Sequence, residues 1–218
     1  HFCHTPGKTV AGDTGDVTCD HYHRVDEDVK LMQALNLRAY RLSISWPRVL
    51  PTGRGTHNEP GWDFYSRLVD RLLAANITPL ITLYHWDLPQ ALQDLGGWEA
   101  RDSAGWFADY AALVARRYGD RVKRIATFNE PGVFTLFGFV LDWQAPGIRD
   151  RAAYLRAMHH VDAPYMPGEL EQRNGRGMRQ RNQWNTVLEY RYMTDRLDGK
   201  RWQILAVKQR FINAFMKA

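Results

Sequence analysis

Glu130 sits between Asn129 and Pro131 in the tract Thr127-Phe128-Asn129-Glu130-Pro131, at the end of a strand-like run, VKRIATF at 122–128. Proline cannot donate to a ladder, so the strand must stop there. A carboxyl placed just before that stop would face the mouth of whatever cleft the strand ends enclose. Asn129 offers an amide donor and an acceptor, suited to a hydroxyl. His85 and Trp86 close the preceding run, TPLITLY at 78–84. An imidazole can bond hydroxyls, and an indole can stack on the apolar face of a pyranose. Together these groups suit a carbohydrate site. A structural Asn–Glu loop pair is the alternative that the residues alone leave open.

Such groups need elements that bring strand ends together. Residues 24–36 place Val25, Val29, Leu31, Met32 and Leu35 near helical spacing, and 38–46 (RAYRLSISW) alternate as a strand. Pro47, Pro51, Gly53 and Gly55 then break the chain. The pattern repeats: helix at 61–75, strand at 78–84, helix at 102–118, strand at 122–128 ended by Pro131 and Gly132, and helix at 148–160. A strand at 184–190 (WNTVLEY) and a helix at 203–216 follow. Alternation in units of this length predicts an α/β protein with a parallel sheet and crossover helices. An open doubly wound sheet and a (β/α) barrel both fit. No Gly-rich phosphate fingerprint follows any strand, which weakens the nucleotide-binding version. Ser45-Trp46, His85-Trp86-Asp87 and Asn129-Glu130 all cluster where strands end, as a barrel's active face requires.

The 218 residues are 44% hydrophobic and 24% charged, a globular composition. Eight Trp should line a core or a sugar-stacking cleft. No run of about 18 apolar residues is present, so no membrane partner is expected. Neither an initiator Met nor a basic-then-apolar leader opens the sequence, and the N-terminus is expected to be cut or incomplete. Cys3 and Cys19 make no disulfide framework; free thiols in a reducing, cytoplasmic compartment are expected. The charge is uneven: residues 1–172 hold 18 Lys and Arg against 21 Asp and Glu, whereas 173–218 hold 11 against 3. With no accompanying motif, that basic tail reads as a solvated face, and no nucleic-acid partner is expected.

Five tracts resemble glycoside hydrolase family 1: FCHTPGK at 2–8, GDTGDVTCDHYHR at 12–24, AYRLSISWPRVLP at 39–51, TLYHWDLPQAL at 82–92 and TFNEP at 127–131. Gly96-Gly97-Trp98 and Ala145-Pro146-Gly147 also fit, in the family's order and spacing, so the resemblance is dense over residues 1–160. It implies a partial (β/α)8 TIM barrel, a single incomplete domain over 1–218 whose residues 161–218 form a divergent loop and basic tail. It also implies retaining hydrolysis of β-glucosides or related small saccharides, without cofactor or metal. Glu130 would be the acid/base, Asn129 would hold the 2-hydroxyl and His85 the 3-hydroxyl. Trp86 would line the same subsite. Arg41 matches the arginine beside the nucleophile, whose fixed charge would keep that carboxylate ionised.

The sequence also departs from the family. The family's nucleophile lies in a Thr/Ser-Glu-Asn-Gly tract on its seventh strand, and no such tract occurs here. The first strand, with its sugar-binding Gln, is absent as well. Glu189, in the predicted strand at 184–190, is not expected to substitute. His21 and His23 beside Cys19 and Asp20 could suggest a metal, but the family uses this tract structurally. Cys3 has no identifiable base partner, and Glu99 and Asp102 read as helix-start acids. Half a barrel exposes strand edges and an apolar face, so a homo-oligomer or a complementing chain is expected. A catalytically incomplete sugar-binding or scaffold fragment is the alternative function.

Overall fold

The computed structural model describes residues 1–161, which form one compact unit. The predicted strand at 184–190, the helix at 203–216, Glu189 and the basic tail lie outside the described residues.

Among the described residues three parallel strands carry the fold: β1 (Ala39–Ser43), β2 (Thr78–Tyr84) and β3 (Ile125–Phe128), hydrogen-bonded in the order β1-β2-β3. Ala39 to Ser43 pair with Thr78 to Thr82, and Ile81 and Tyr84 pair with Ile125 and Phe128. Seven α-helices accompany them among the described residues: α1 (His21–Ala34), α2 (Trp46–Val49), α3 (Glu59–Ala74), α4 (Gln90–Gln93), α5 (Ser103–Tyr118), α6 (Pro131–Phe139) and α7 (Arg151–Val161).

The long helices follow from their spacing. In α1 the buried residues are Val25, Val29 and Met32, and in α5 Trp106, Tyr110, Val114 and Tyr118, one stripe each. Helix α3 begins with Glu59 and Pro60, an acid and a proline where the helix dipole and the unpaired N–H groups favour them. Helices α1 and α3 stop in the same way. Asn36 and Asn76 adopt left-handed backbone conformations, with φ of 56° and 57°. Leu37 then donates to Met32 O and Ile77 to Leu72 O, closing a Schellman-type cap two residues or fewer before the next strand. An Asn after the helix therefore sets the direction in which each strand leaves.

The strand ends are tied together from below. The Tyr110 hydroxyl lies 3.0 Å from Ile44 O and 2.9 Å from Leu83 O, bridging the carboxyl ends of β1 and β2. Trp46 stacks on Tyr110, with centroids 4.5 Å apart and planes within 6°. Its indole N–H donates to Gly53 O at 2.9 Å. Gly53 holds φ at +81°, and a Cβ there would lie 2.3 Å from Leu92 Cγ, so only glycine fits.

Two sequence expectations change. Pro131 and Gly132 do end β3, but α6 starts at once, whereas the first helix after β3 was expected only at residue 148. Proline suits a helix's first position, where its missing N–H leaves nothing unpaired. The run PGVFTLFGF is apolar almost all round, so it shows no helical stripe. Likewise, the proline-broken segment after β1 contains the short helix α2, with Pro47 in its first turn. Both outer sheet edges, on β1 and β3, lack a strand partner among the described residues. Ile125 on β3 remains 36% exposed, as expected of a sheet face covered incompletely.

Tyr110→Phe should lower the unfolding free energy by about 2 kcal/mol, because two buried carbonyls lose their bridging donor. Urea denaturation followed by tryptophan fluorescence checks this. A loss below about 0.5 kcal/mol would show that the two strand ends do not rely on this bridge.

Candidate active site

Parallel pairing puts the carboxyl ends of the three strands side by side, and the candidate residues are found there. Arg41 on β1 reaches across β2 to β3. Its Nε donates to Thr82 Oγ1 at 2.8 Å, and its Nη2 donates to Asn129 Oδ1 at 2.8 Å. Asn129 is fixed at two further atoms: its backbone N–H donates to Tyr84 O at 2.9 Å, and its carbonyl accepts from Trp86 Nε1 at 2.8 Å. With Oδ1 occupied by the guanidinium, the amide orientation is determined by the network, and the NH2 group is the end presented outward. Asn129 therefore offers two donors, the complement of a sugar hydroxyl oxygen.

Glu130 follows with left-handed backbone, φ 44°, as the residue that caps the amino end of α6. The conformation is uncommon for a side chain larger than glycine, and such residues persist only where the surroundings over-determine them. Here the β3 pairing ends on one side and Pro131 starts a helix on the other. The residue is solvent-exposed.

His85 faces both charged neighbours. Partial burial is the largest influence on its imidazole and moves its pKa down from the ordinary value; Arg41 pushes the same way and Glu130 the opposite way. The ring is therefore neutral at neutral pH, with one nitrogen to donate and one to accept. Trp86 has φ 80° and packs edge-on to His85, with centroids 5.4 Å apart. Beneath lies a wall of rings. Phe128 stacks on Phe107 at 4.5 Å, and Tyr84 meets Trp98 at 5.0 Å and Phe134 at 5.1 Å.

The structure thus joins Arg41, His85, Trp86 and Asn129 in one contiguous network beside Glu130. Two members were given no role by the sequence reading. Thr82, fully buried, is the middle support of the Arg41 bridge. Its inward position follows from strand alternation, but its partner could not be read from β2 alone. Asp87 is the other. Its Oδ1 is sealed from solvent with no hydrogen-bond partner. Burial is the dominant influence and pushes the carboxyl up to about 6; the Ser45 hydroxyl and the N–H groups of Asp87, His85 and Trp46 act against it.

A cavity of about 710 Å³ adjoins the site at Arg41, Thr82 and His85 and runs along the open flank of β1 past Tyr40, Phe64 and Tyr65. The two histidines of the His-x-His tract go to separate carboxylates, His21 to Asp28 and His23 to Asp20. No group of three or more potential metal ligands gathers among the described residues. Cys3 and Cys19 are exposed free thiols.

The sequence matches Glycosyl hydrolase family 1 over residues 1–164. The chain belongs to this family. Beta-glucosidase A of Thermotoga maritima is 51% identical over 160 residues, covering 73% of this chain and 36% of that protein. Thermostable beta-glucosidase B of Thermobispora bispora is 54% identical over 160 residues, with 73% and 33% covered. The solved structure of the Thermotoga maritima beta-glucosidase in complex with castanospermine superposes with a TM-score of 0.72 at 52% identity, over 73% of this chain and 36% of that one. The family 1 chain thus spans about a third of the length of these relatives. Its alternating parallel strands and helices form part of a TIM barrel.

The Asp87 carboxyl titrates near 3.8 when unfolded and near 6 when folded, so folding favours its protonated form. Its contribution to stability is complete below about pH 4 and is lost as pH rises through about 6, a change of roughly 3 kcal/mol. Asp87→Asn should remove that loss. Urea unfolding at pH 4 and pH 7 checks it: the parent should lose more stability between the two than the variant, and equal losses would contradict the burial of this carboxyl.

Proposed function

We propose that this chain supplies the acid/base half of a retaining β-glycosidase site acting on β-glucosides or related small saccharides. The observation that carries this reading is the placement of Glu130 at a strand end beside an Asn129 held with its amide NH2 outward by Arg41. The relatives support it by their names: beta-glucosidases, a 1,4-beta-D-glucan glucohydrolase of Thermotoga neapolitana and an aryl-phospho-beta-D-glucosidase of Bacillus subtilis.

In this reading a carboxylate supplied from outside this sequence attacks the anomeric carbon while Glu130 protonates the departing glycosidic oxygen, and Glu130 then takes a proton from the water that displaces that carboxylate. Asn129 donates to the 2-hydroxyl, an interaction that strengthens in the transition state. Neutral His85 bonds the 3-hydroxyl, and the Trp86 ring lines the same subsite. Arg41 holds Asn129 in place and adds positive charge next to the nucleophile position. Retention needs a second carboxylate about 5–5.5 Å from the first. No Thr/Ser-Glu-Asn-Gly tract that would carry it occurs in this sequence.

A second reading rests on a different observation, the outer edges of β1 and β3, which lack a strand partner among the described residues. Exposed edges recruit strands. In this reading the chain holds a sugar without turning it over, and it self-associates or takes a complementing chain. The exposed thiols of Cys3 and Cys19 favour a reducing compartment, the cytoplasm, in either case.

Hydrolysis of an aryl β-glucoside by the parent and by Glu130→Gln separates the two. Under the first reading the parent, once a chain carrying the second carboxylate is supplied, turns over substrate, and the variant loses about 10²–10⁴-fold in kcat. The loss should be smaller for a dinitrophenyl leaving group, which departs with little help from an acid. No turnover by the parent, with glucoside binding still measurable, supports the second reading. Turnover that is insensitive to Glu130→Gln would remove Glu130 from the chemistry.

A further inference from the structure

The peptide that joins Asn129 to Glu130 aims the Glu130 side chain, and its orientation is unusual. Glu130 caps the amino end of α6 with φ 44° and ψ 65°, a left-handed backbone. Local rules argue against that conformation. A side chain larger than glycine's crowds the backbone there. A helix-capping residue ordinarily takes extended backbone. So does a residue before proline, and Pro131 follows directly. An extended Glu130 could still cap α6, with the Asn129–Glu130 peptide turned over and the carboxyl leaving the chain in another direction. Something outside the local sequence therefore holds this peptide.

Most of the neighbouring bonds fix other parts of the chain. The Asn129 N–H donates to Tyr84 O at 2.9 Å, and Asn129 Oδ1 accepts from Arg41 Nη2 at 2.8 Å; these fix the preceding peptide and the Asn129 side chain. Glu130 O accepts from the N–H groups of Val133 at 2.9 Å and Phe134 at 3.3 Å, which fixes the peptide after Glu130. Turning the intervening peptide, about ψ of Asn129 and φ of Glu130, leaves all of these in place. It breaks the bond from Trp86 Nε1 to Asn129 O, 2.8 Å, because that oxygen is the carbonyl of the peptide that turns. Trp86 is itself braced. It is half-buried against the core, and its ring meets His85 edge-on at 5.4 Å. We propose that Trp86 is a positioning residue for the acid/base: its indole N–H, by holding the Asn129 carbonyl, keeps Glu130 left-handed and its carboxyl aimed in one direction beside Asn129. The ring remains free to line the sugar subsite. The single N–H does not, since the backbone of β3's end has taken it.

This role rests on the reading of Glu130 as the acid/base, but its test needs neither sugar nor turnover, so failure of one is distinguishable from failure of the other. The chain is labelled with ¹³C and ¹⁵N, and the three-bond coupling between the Glu130 N–H and Hα, which depends on φ, is measured in the parent and in Trp86→Phe. The substitution keeps an aromatic ring and removes the donor. Exchange of the Asn129 N–H, bonded to Tyr84 O, reports whether the pairing of β2 and β3 survives. In the parent the coupling should match φ 44°. In Trp86→Phe it should report a φ displaced toward extended values by more than the about 20° scatter of ordinary backbone. Asn129 exchange should meanwhile stay within about twofold of the parent. If Trp86→Phe gives no folded protein, benzothienylalanine at position 86, which keeps the shape of Trp and carries sulfur in place of the N–H, takes its place with the same expectation. An unchanged Glu130 coupling overturns the proposal, because the peptide then needs no indole to hold it. So does Asn129 exchange accelerated beyond that range, or failure of both replacements to fold, since each outcome assigns Trp86 to general stability.

Discussion

Arg41 reaches from β1 across β2 to the end of β3, and it is the contact on which the site's geometry depends. Its guanidinium crosses β2, leans on Thr82 and ends on the amide oxygen of Asn129. That single side chain converts three separate strand ends into one surface of fixed geometry. It decides which end of the Asn129 amide faces outward, and it helps keep His85 neutral. The planar fork of arginine makes this possible, since Nε and Nη2 can address two acceptors on two strands at once. A lysine, with one point charge, would hold one strand end only.

The rest of the molecule can be understood as what is needed to bring Arg41, Thr82 and Asn129 into line. Parallel pairing sets β1 against β2 in register, so that Arg41 starts one strand away from Thr82 and two from Asn129. Left-handed Asn36 and Asn76 aim the strands as they leave α1 and α3. Tyr110 and Trp46 fasten the strand ends from underneath, and the Phe107, Phe128 and Trp98 rings support the floor. Left-handed backbone also occurs where the groups of interest sit. Trp86 and Glu130 both have positive φ, and Glu130 stands directly before the start of α6. This is the pattern expected where backbone conformation is sacrificed to aim a side chain.

Much of this was legible in the sequence, and the reasons are specific. Alternating stripes such as Val25-Val29-Met32 mark helices, and TPLITLY and VKRIATF mark strands, because burial imposes those periods. The tracts ending in His85-Trp86 and Asn129-Glu130 point to the active face because breakers follow them. Helix α6 was not legible, since an evenly apolar segment has no stripe to read and its proline argues for a stop as readily as for a start. Thr82 and Asp87 were not legible either. A threonine in a strand and an aspartate in a turn are ordinary, and only the fold shows one spanned by an arginine from the next strand and the other buried under a neighbouring strand's end. The expectation that Arg41 lies beside a nucleophile is joined by an observation: among the described residues its hydrogen-bond partners are Thr82 and Asn129.

The central claim is that the strand ends present a donor-lined sugar site, with the outward NH2 of Asn129 at its centre. Saturation-transfer NMR with methyl β-D-glucoside, a neutral ligand, measures it most directly in the parent and in Asn129→Asp. The substitution keeps an acceptor for Arg41 and replaces the outward donors with a negatively charged acceptor oxygen. Binding to the parent that weakens about tenfold in the variant, with the fold unchanged, is the expected result. No binding to the parent, or equal binding to both, would contradict it.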